Sequence, residues 1–139
     1  MGINLKTTTD TWSGNDYSWM ANRKGWDTCR SITLDLTTFL AAHYSTGKIP
    51  SGTALGKITA TGLYGPYDDT LADGTNVFAG FLLQDTLVTD SNGNALGNPG
   101  VALFWEGIVI ESKLPAFAGT SKGEINANAK TDNPNIRYE

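Results

Sequence analysis

The chain has 139 residues and a formal net charge of −4, a size that suits one domain with room for an arm. Its Lys and Arg are scattered, with Arg23 and Lys24 the densest spot, which excludes a clustered phosphate-binding patch and so a nucleic-acid partner. Hydrophobic residues make up 40% and charged residues 17%, a balance that excludes a disordered chain. The single cysteine, Cys29, excludes an internal disulfide and a cysteine-built zinc site.

Sixteen glycines and frequent threonine move the fold toward β, since Thr favours strands and Gly favours turns. Residues 1–6 have no charged region followed by an apolar run, so no signal peptide is expected. Lys6 stands where myristoylation wants Ser or Thr. No apolar run approaches the about 20 residues that span a membrane. A soluble protein made in the cytoplasm, without a membrane partner, is the expectation.

Residues 1–28 read as an extended N-terminal arm. They are polar, yet hold Trp12, Trp19 and Trp26, with Tyr17 and Met20 among them. A spacing of seven would align the indoles on one helical face, but Gly14, Gly25 and the Thr-rich start argue against a continuous helix. Residues 3–7 alternate and suit a short strand. Residues 29–139 read as the β domain. Its first strand spans 31–36, with Ile32, Leu34 and Leu36 on one face. A turn is expected at 48–52, and a second strand at 56–62. Gly65 and Pro66 punctuate a loop over 63–69.

Residues 76–83 are nearly all apolar and predict a buried strand that continues through 86–89. Residues 90–94 form a turn of the Asn-Gly type favoured in hairpins. Residues 101–111 are the strongest strand, with Val101, Leu103, Trp105, Ile108 and Ile110 as core candidates and a bulge near Gly107. Ser121 and Glu124 have capping-box spacing, which predicts a short C-terminal helix over 122–130. Asn133 and Pro134 end it, and residues 136–138 suit a last strand. Nothing divides the chain into two domains.

Reactive constellations are not found. His43 is the only histidine, too few for a triad or a multi-histidine metal site without special neighbours, and it reads as a loop or surface residue. The turn at 90–94 starts like a calcium loop, but Ala95 and Val101 stand where Gly and Glu are needed. Residues 52–57 are one residue short of a phosphate loop, and Ile58 follows Lys57 in place of Ser or Thr. Asp68, Asp69 and Asp73 read as turn carboxylates. Cys29 beside Arg30 reads as a structural thiol. The expectation is a protein without enzymatic activity, catalytic residues, cofactor, metal or small-molecule substrate. The tryptophans leave two readings open. They pack back onto the β domain, or they anchor an interface, where Trp is enriched.

The order of several short pieces resembles the head decoration (capsid cement) proteins of tailed phages, the family that includes the lambda head protein D. The pieces are Ile32-Thr33-Leu34-Asp35, Ile49-Pro50-Ser51-Gly52-Thr53, Leu55-Gly56-Lys57 and Gly62-Leu63-Tyr64-Gly65-Pro66-Tyr67-Asp68. Asp73-Gly74-Thr75, Ala79-Gly80-Phe81-Leu82-Leu83, Trp105-Glu106-Gly107-Ile108-Val109 and Ser112-Lys113-Leu114-Pro115 follow. The resemblance covers about residues 30–138 and looks closest to members from phages of actinobacteria. It implies a mainly β fold, a compact β-barrel or β-tulip-like domain with little helix. It implies homotrimers on the outer surface of the capsid at three-fold positions of the expanded head. The partner is the major capsid protein, and the role is to brace the shell against packaged DNA.

In that setting the arm would dock by adding a strand to the shell, with apolar side chains filling pockets. The capsid-binding candidates are Ile3, Leu5, Trp12, Tyr17, Trp19 and Trp26, and the domain is expected to fold without residues 1–28. The alternative is a tail or fibre component, or a carbohydrate-binding β module, since exposed aromatics also stack on sugars.

Overall fold

The computed structural model describes residues 17–22, 25–43, 47–88, 97–117, 120 and 122–139. The described residues form nine strands, one α-helix and three short 3-10 turns. The strands are β1 (Arg30–Thr33), β2 (Lys48–Ile49), β3 (Ala54–Lys57), β4 (Tyr64–Pro66), β5 (Phe78–Leu82), β6 (Thr86–Leu87), β7 (Gly100–Phe104), β8 (Gly107–Val109) and β9 (Ile136–Tyr138). The helix is α1 (Ala127–Asp132). The fold is mainly β.

Five strands make one antiparallel sheet in the order β1-β7-β5-β3-β4. β2 pairs antiparallel with β6, and β8 pairs parallel with β9. The large sheet is not closed by a continuous ladder. Its two edges approach at one isolated parallel bridge, Leu34 with Tyr64, where the Asp35 amide donates to the Tyr64 carbonyl at 2.8 Å.

Successive residues of a strand point to opposite faces, and here both faces are covered. Ala54, Phe81, Leu83 and Phe104 face one core, with Trp19, Tyr67, Phe78, Val109, Ala129 and Ile136. Leu55, Leu82 and Leu103 face the other, with Leu34, Phe39, Ile49 and Val88. This explains why residues 78–83 are apolar without alternation: the strand has no solvent side. Gly80 sits at the close approach of β5 to β7, where a Cβ would lie 2.4 Å from the Phe104 carbonyl oxygen.

Local chemistry moves several expected boundaries. The first strand ends at Thr33, because Asp35 accepts from the Thr37 amide and caps a 3-10 turn at Leu36–Thr38. Within the expected turn at 48–52, Lys48–Ile49 is a strand and only Ser51 and Gly52 turn. The second strand starts and stops earlier than 56–62, because Gly62 donates back to Ile58 and Ile58 to Leu63. Within the expected loop at 63–69, Tyr64–Pro66 is β4. Proline is tolerated there because β4 is an edge strand.

The long strand at 101–111 is two strands in different sheets. Gly107, at φ 139°, turns the chain from β7 toward β9. Of its expected core side chains Leu103 is buried, while Val101, Trp105, Ile108 and Ile110 are half-buried; Phe104 and Val109, of opposite parity, are fully buried instead.

The helix also lies further along than 122–130. Asn126 is its cap, accepting from the Ala129 amide at 3.0 Å, and Glu124 accepts from the Phe117 amide instead. At the other end the Asn133 side chain donates to the carbonyls of Ala79 and Trp105, both at 2.9 Å, and ties α1 to the sheet. The last strand lies at the expected 136–138. The expected strand at 3–7 and turn at 90–94 lie outside the described residues.

Candidate functional site

The sequence places three of its four tryptophans before the first strand, and residues 17–22 are where that stretch meets the domain. The Met20 amide donates to the Tyr17 carbonyl at 2.9 Å, which turns the chain. Met20 then forms an antiparallel bridge with Val109. Ala21 donates to Ile108, and Ile110 donates to Trp19 at 2.6 Å. The segment thus lies along β8 on the side away from β9.

That placement drives Trp19 inward. Its ring is 1% exposed and packs 5.5 Å from Phe81 and 5.2 Å from Phe104, centroid to centroid. The indole N–H donates to Ser51 Oγ at 3.0 Å, and Ser51 donates on to the Leu83 carbonyl at 2.7 Å. Gly52, at φ 93°, closes the slot; a Cβ there would stand 3.1 Å from the indole. Trp19 therefore belongs to the core. As a capsid-binding candidate it is corrected, because no face of the ring is left for a partner. The boundary at residue 28 also leaves one of the largest core side chains outside the domain.

Tyr17 and Trp26 stay half-buried at the surface, stacked edge to face at 4.9 Å. With Met20 and Asn22 they line an open recess of about 350 Å³. Trp26 is presented by a turn in which Gly25, at φ 89°, takes a bond from the Thr28 amide at 3.4 Å. A side chain at Gly25 would run into the Glu106 carbonyl. Of the six candidates the fold thus brings Tyr17 and Trp26 together and hides Trp19 behind them. Ile3, Leu5 and Trp12 lie outside the described residues. Asn22 was missed, and a lone polar residue between aromatics carries no sequence signal of a wall.

A second aromatic site lies nearby. The Arg30 guanidinium stands over the Trp105 ring at 4.1 Å, and the Trp105 indole donates to the Thr28 carbonyl at 2.7 Å. Such a cation–π contact orders a surface side chain.

The ionisable groups elsewhere are used structurally. Asp68 accepts from the Thr70 amide and hydroxyl and pairs with Lys122 at 3.4 Å. Asp73 accepts from the Thr75 amide and hydroxyl, and Asp69 accepts from the Asn126 side chain. Burial pushes the Asp68 carboxyl up, but the Thr70 bonds and Lys122 outweigh it, and the group ends below the usual range. The Thr75 hydroxyl draws Asp73 down in the same way.

Burial, with Asp27 and Glu106 behind it, pushes the Cys29 thiol up, so the neighbouring Arg30 does not activate it. Residues 52–57 enter a central strand and present no open loop to a phosphate. His43, expected as a loop or surface residue, lies in a short 3-10 turn, but its side chain is 1% exposed and not at the surface, because both ring nitrogens are bonded inside the fold.

Among the described residues no group of three or more His, Cys, Asp or Glu gathers to hold a metal ion. None of the described helices is long and apolar enough to cross a membrane. No protein-family model matches the chain, and no curated protein and no solved structure matches it either.

Proposed function

We propose that this protein is a capsid decoration, or cement, protein that binds the outer surface of an expanded phage head as homotrimers at three-fold positions. The observation that carries the reading is the recess of Tyr17, Met20, Asn22 and Trp26 at the root of the N-terminal stretch. Aromatic side chains dominate binding hot spots because they bury much area at little entropic cost. Here two of them are held at the surface while Trp19 pins the same segment into the core. A pinned root lets a docked arm transmit load to the domain. A trimer engages several capsid subunits at once, and such avidity multiplies single-site affinity by about 10²–10⁴.

The partner in this reading is the major capsid protein, and the place of action is the outside of the virion. The chemistry is binding and not catalysis. The finer fold belongs to the same proposal: the large sheet curls toward a β-barrel or tulip. The Leu34–Tyr64 bridge supports that, since it draws the two sheet edges together.

The test is co-sedimentation with expanded, decoration-free shells of the protein's own phage, followed by cryo-electron microscopy of the pellet. Saturable binding with density at three-fold positions is expected. No binding to those shells would overturn the proposal. It would leave a tail or fibre component or a carbohydrate-binding module, which a glycan panel would then separate.

A further inference from the structure

His43 lies in a 3-10 turn, Ala41–His43, next to the surface, yet it is shut from water. Its Nδ1 accepts the Leu40 amide at 2.9 Å, and its Nε2 lies 2.8 Å from the Lys122 carbonyl. An acceptor at Nδ1 with a donor at Nε2 is the neutral imidazole that carries its proton on Nε2. The ring is flanked by Phe39 at 5.6 Å and Phe117 at 4.6 Å, centroid to centroid. On the far side Gly123 closes in, where a Cβ would stand 3.2 Å from Nε2.

The charged groups that face the ring come from the opposite segment. Lys122 offers its carbonyl to the ring, while its ammonium pairs with Asp68 at 3.4 Å. Glu124 is already bonded to the Phe117 amide at 3.0 Å. Both nearby carboxylates are thus engaged.

We infer that His43 is an acid-sensitive latch: uncharged, it closes the seam between residues 40–43 and Lys122, and protonated, it opens that seam while the five-stranded sheet stays folded. A proton on Nδ1 would face the Leu40 N–H, donor against donor, and that bond would be lost. The imidazolium would also be stripped of water between two phenyl rings. Burial, the largest influence, holds the ring below its ordinary pKa of 6.5, against the bonds to Lys122 and Leu40. A folded value below the open value means that the open state binds the proton better. Closure is therefore fully stabilised above the ordinary value and lost as pH falls below it.

The moving part is residues 40–43, beyond Phe39, which the second core holds. Gly123 is tied to the sheet side, donating to Tyr67 and accepting from Ala54, both at 2.9 Å. The seam also walls a groove of about 260 Å³ lined by Leu40, Pro66, Leu71 and Lys122, among others. Leu40 and Leu71 are 43% and 40% exposed, so opening would remodel a face that already shows apolar side chains. The inference does not rest on the proposed function.

The experiment is amide hydrogen exchange on the whole chain at about pH 7.5 and about pH 5, corrected for intrinsic exchange, with His43 titrated by NMR alongside. The Leu40 and His43 amides are expected to lose protection at least about tenfold at the lower pH, with a midpoint matching the His43 titration. Gly123, Leu82 and Leu103 are expected to keep theirs. His43→Gln, which cannot titrate, is expected to lose the pH difference; if it does not fold, the match of midpoints in the unaltered protein decides. Unchanged protection of Leu40, a midpoint away from the His43 titration, or simultaneous opening of the sheet would overturn the inference.

Discussion

Trp19 and Ser51 meet side chain to side chain across 32 positions of the chain, indole N–H to hydroxyl at 3.0 Å, both fully inside the fold. Ser51 relays the contact to the Leu83 carbonyl, so two linked bonds hold the N-terminal segment, a turn and the residue after β5 together. Trp19→Ala is expected to destabilise the protein by about 3–5 kcal/mol, the usual cost of emptying a core aromatic site. Trp26→Ala, at the half-buried recess, is expected to cost about 1 kcal/mol or less and to weaken shell binding instead. Chemical denaturation and shell co-sedimentation of the two variants separate the roles. Equal stability losses would show that both indoles serve the core.

Truncation makes the same division on a larger scale. Removing residues 2–16 is expected to leave the midpoint of unfolding nearly unchanged, because the segment from Tyr17 keeps its bonds to β8. Removing residues 2–28 takes Trp19 with it and is expected to give a chain that is unfolded or aggregates. A stable, cooperative 29–139 fragment would contradict the core role of Trp19.

Tyr138 makes a separate case. Its hydroxyl is buried without a hydrogen-bond partner among the described residues, and burial, with Glu111 nearby, pushes its pKa far up. An unpaired buried hydroxyl carries a desolvation penalty. Tyr138→Phe is therefore expected to be neutral or to stabilise by up to about 1 kcal/mol. A loss of more than about 1 kcal/mol in denaturation would show that the hydroxyl is paired in solution.

Acid stability gives a fourth test. The Asp68 carboxyl lies below its ordinary 3.8 in the folded state, so the folded protein holds that proton less well than the unfolded chain. Its contribution is fully present above the ordinary value and is lost as pH falls from there through the lower folded value. Urea titrations from about pH 7 to about pH 2 are expected to show a flatter acid limb for Asp68→Asn than for the parent. Parallel limbs would remove Asp68 from the acid response. The His43 window lies higher, so the two effects separate along the pH axis.

Legibility followed how completely one force decided a segment. β5 was readable because a short apolar run, rich in Phe and too short for a buried helix, fits a strand covered on both faces. β9 was readable because Pro134 stops the helix before it. β4 was not, since Gly65 and Pro66 signal a loop, and only its place at the sheet edge makes them acceptable. The helix was displaced because Ser121 and Glu124 have the spacing of a cap, while Asn126, with the same chemistry, holds the amide in fact.

Of the candidate residues, Tyr17 and Trp26 could be singled out from sequence one by one, but not as a pair, because their contact is made only in the fold. The fate of Trp19 was undecidable from sequence, because its slot is built by Ser51, Phe81 and Phe104, all remote in the chain. The same holds for His43, whose second partner lies 79 positions away.

Val109 pairs with Met20 on one side and with Tyr138 on the other. The same cluster that takes Trp19 also takes Ile136, so its contacts join the two extremes of the described chain. Contacts this distant are entropically slow to close, and they push a β fold toward the millisecond-to-second range. During synthesis the slot for Trp19 stands open until Phe104 has emerged to complete it, and β8 stays bare on its other side until β9 follows. The core shared by Trp19 and Ile136 is therefore the last part of the described fold to be covered, and until then its aromatic side chains are open to non-native contacts.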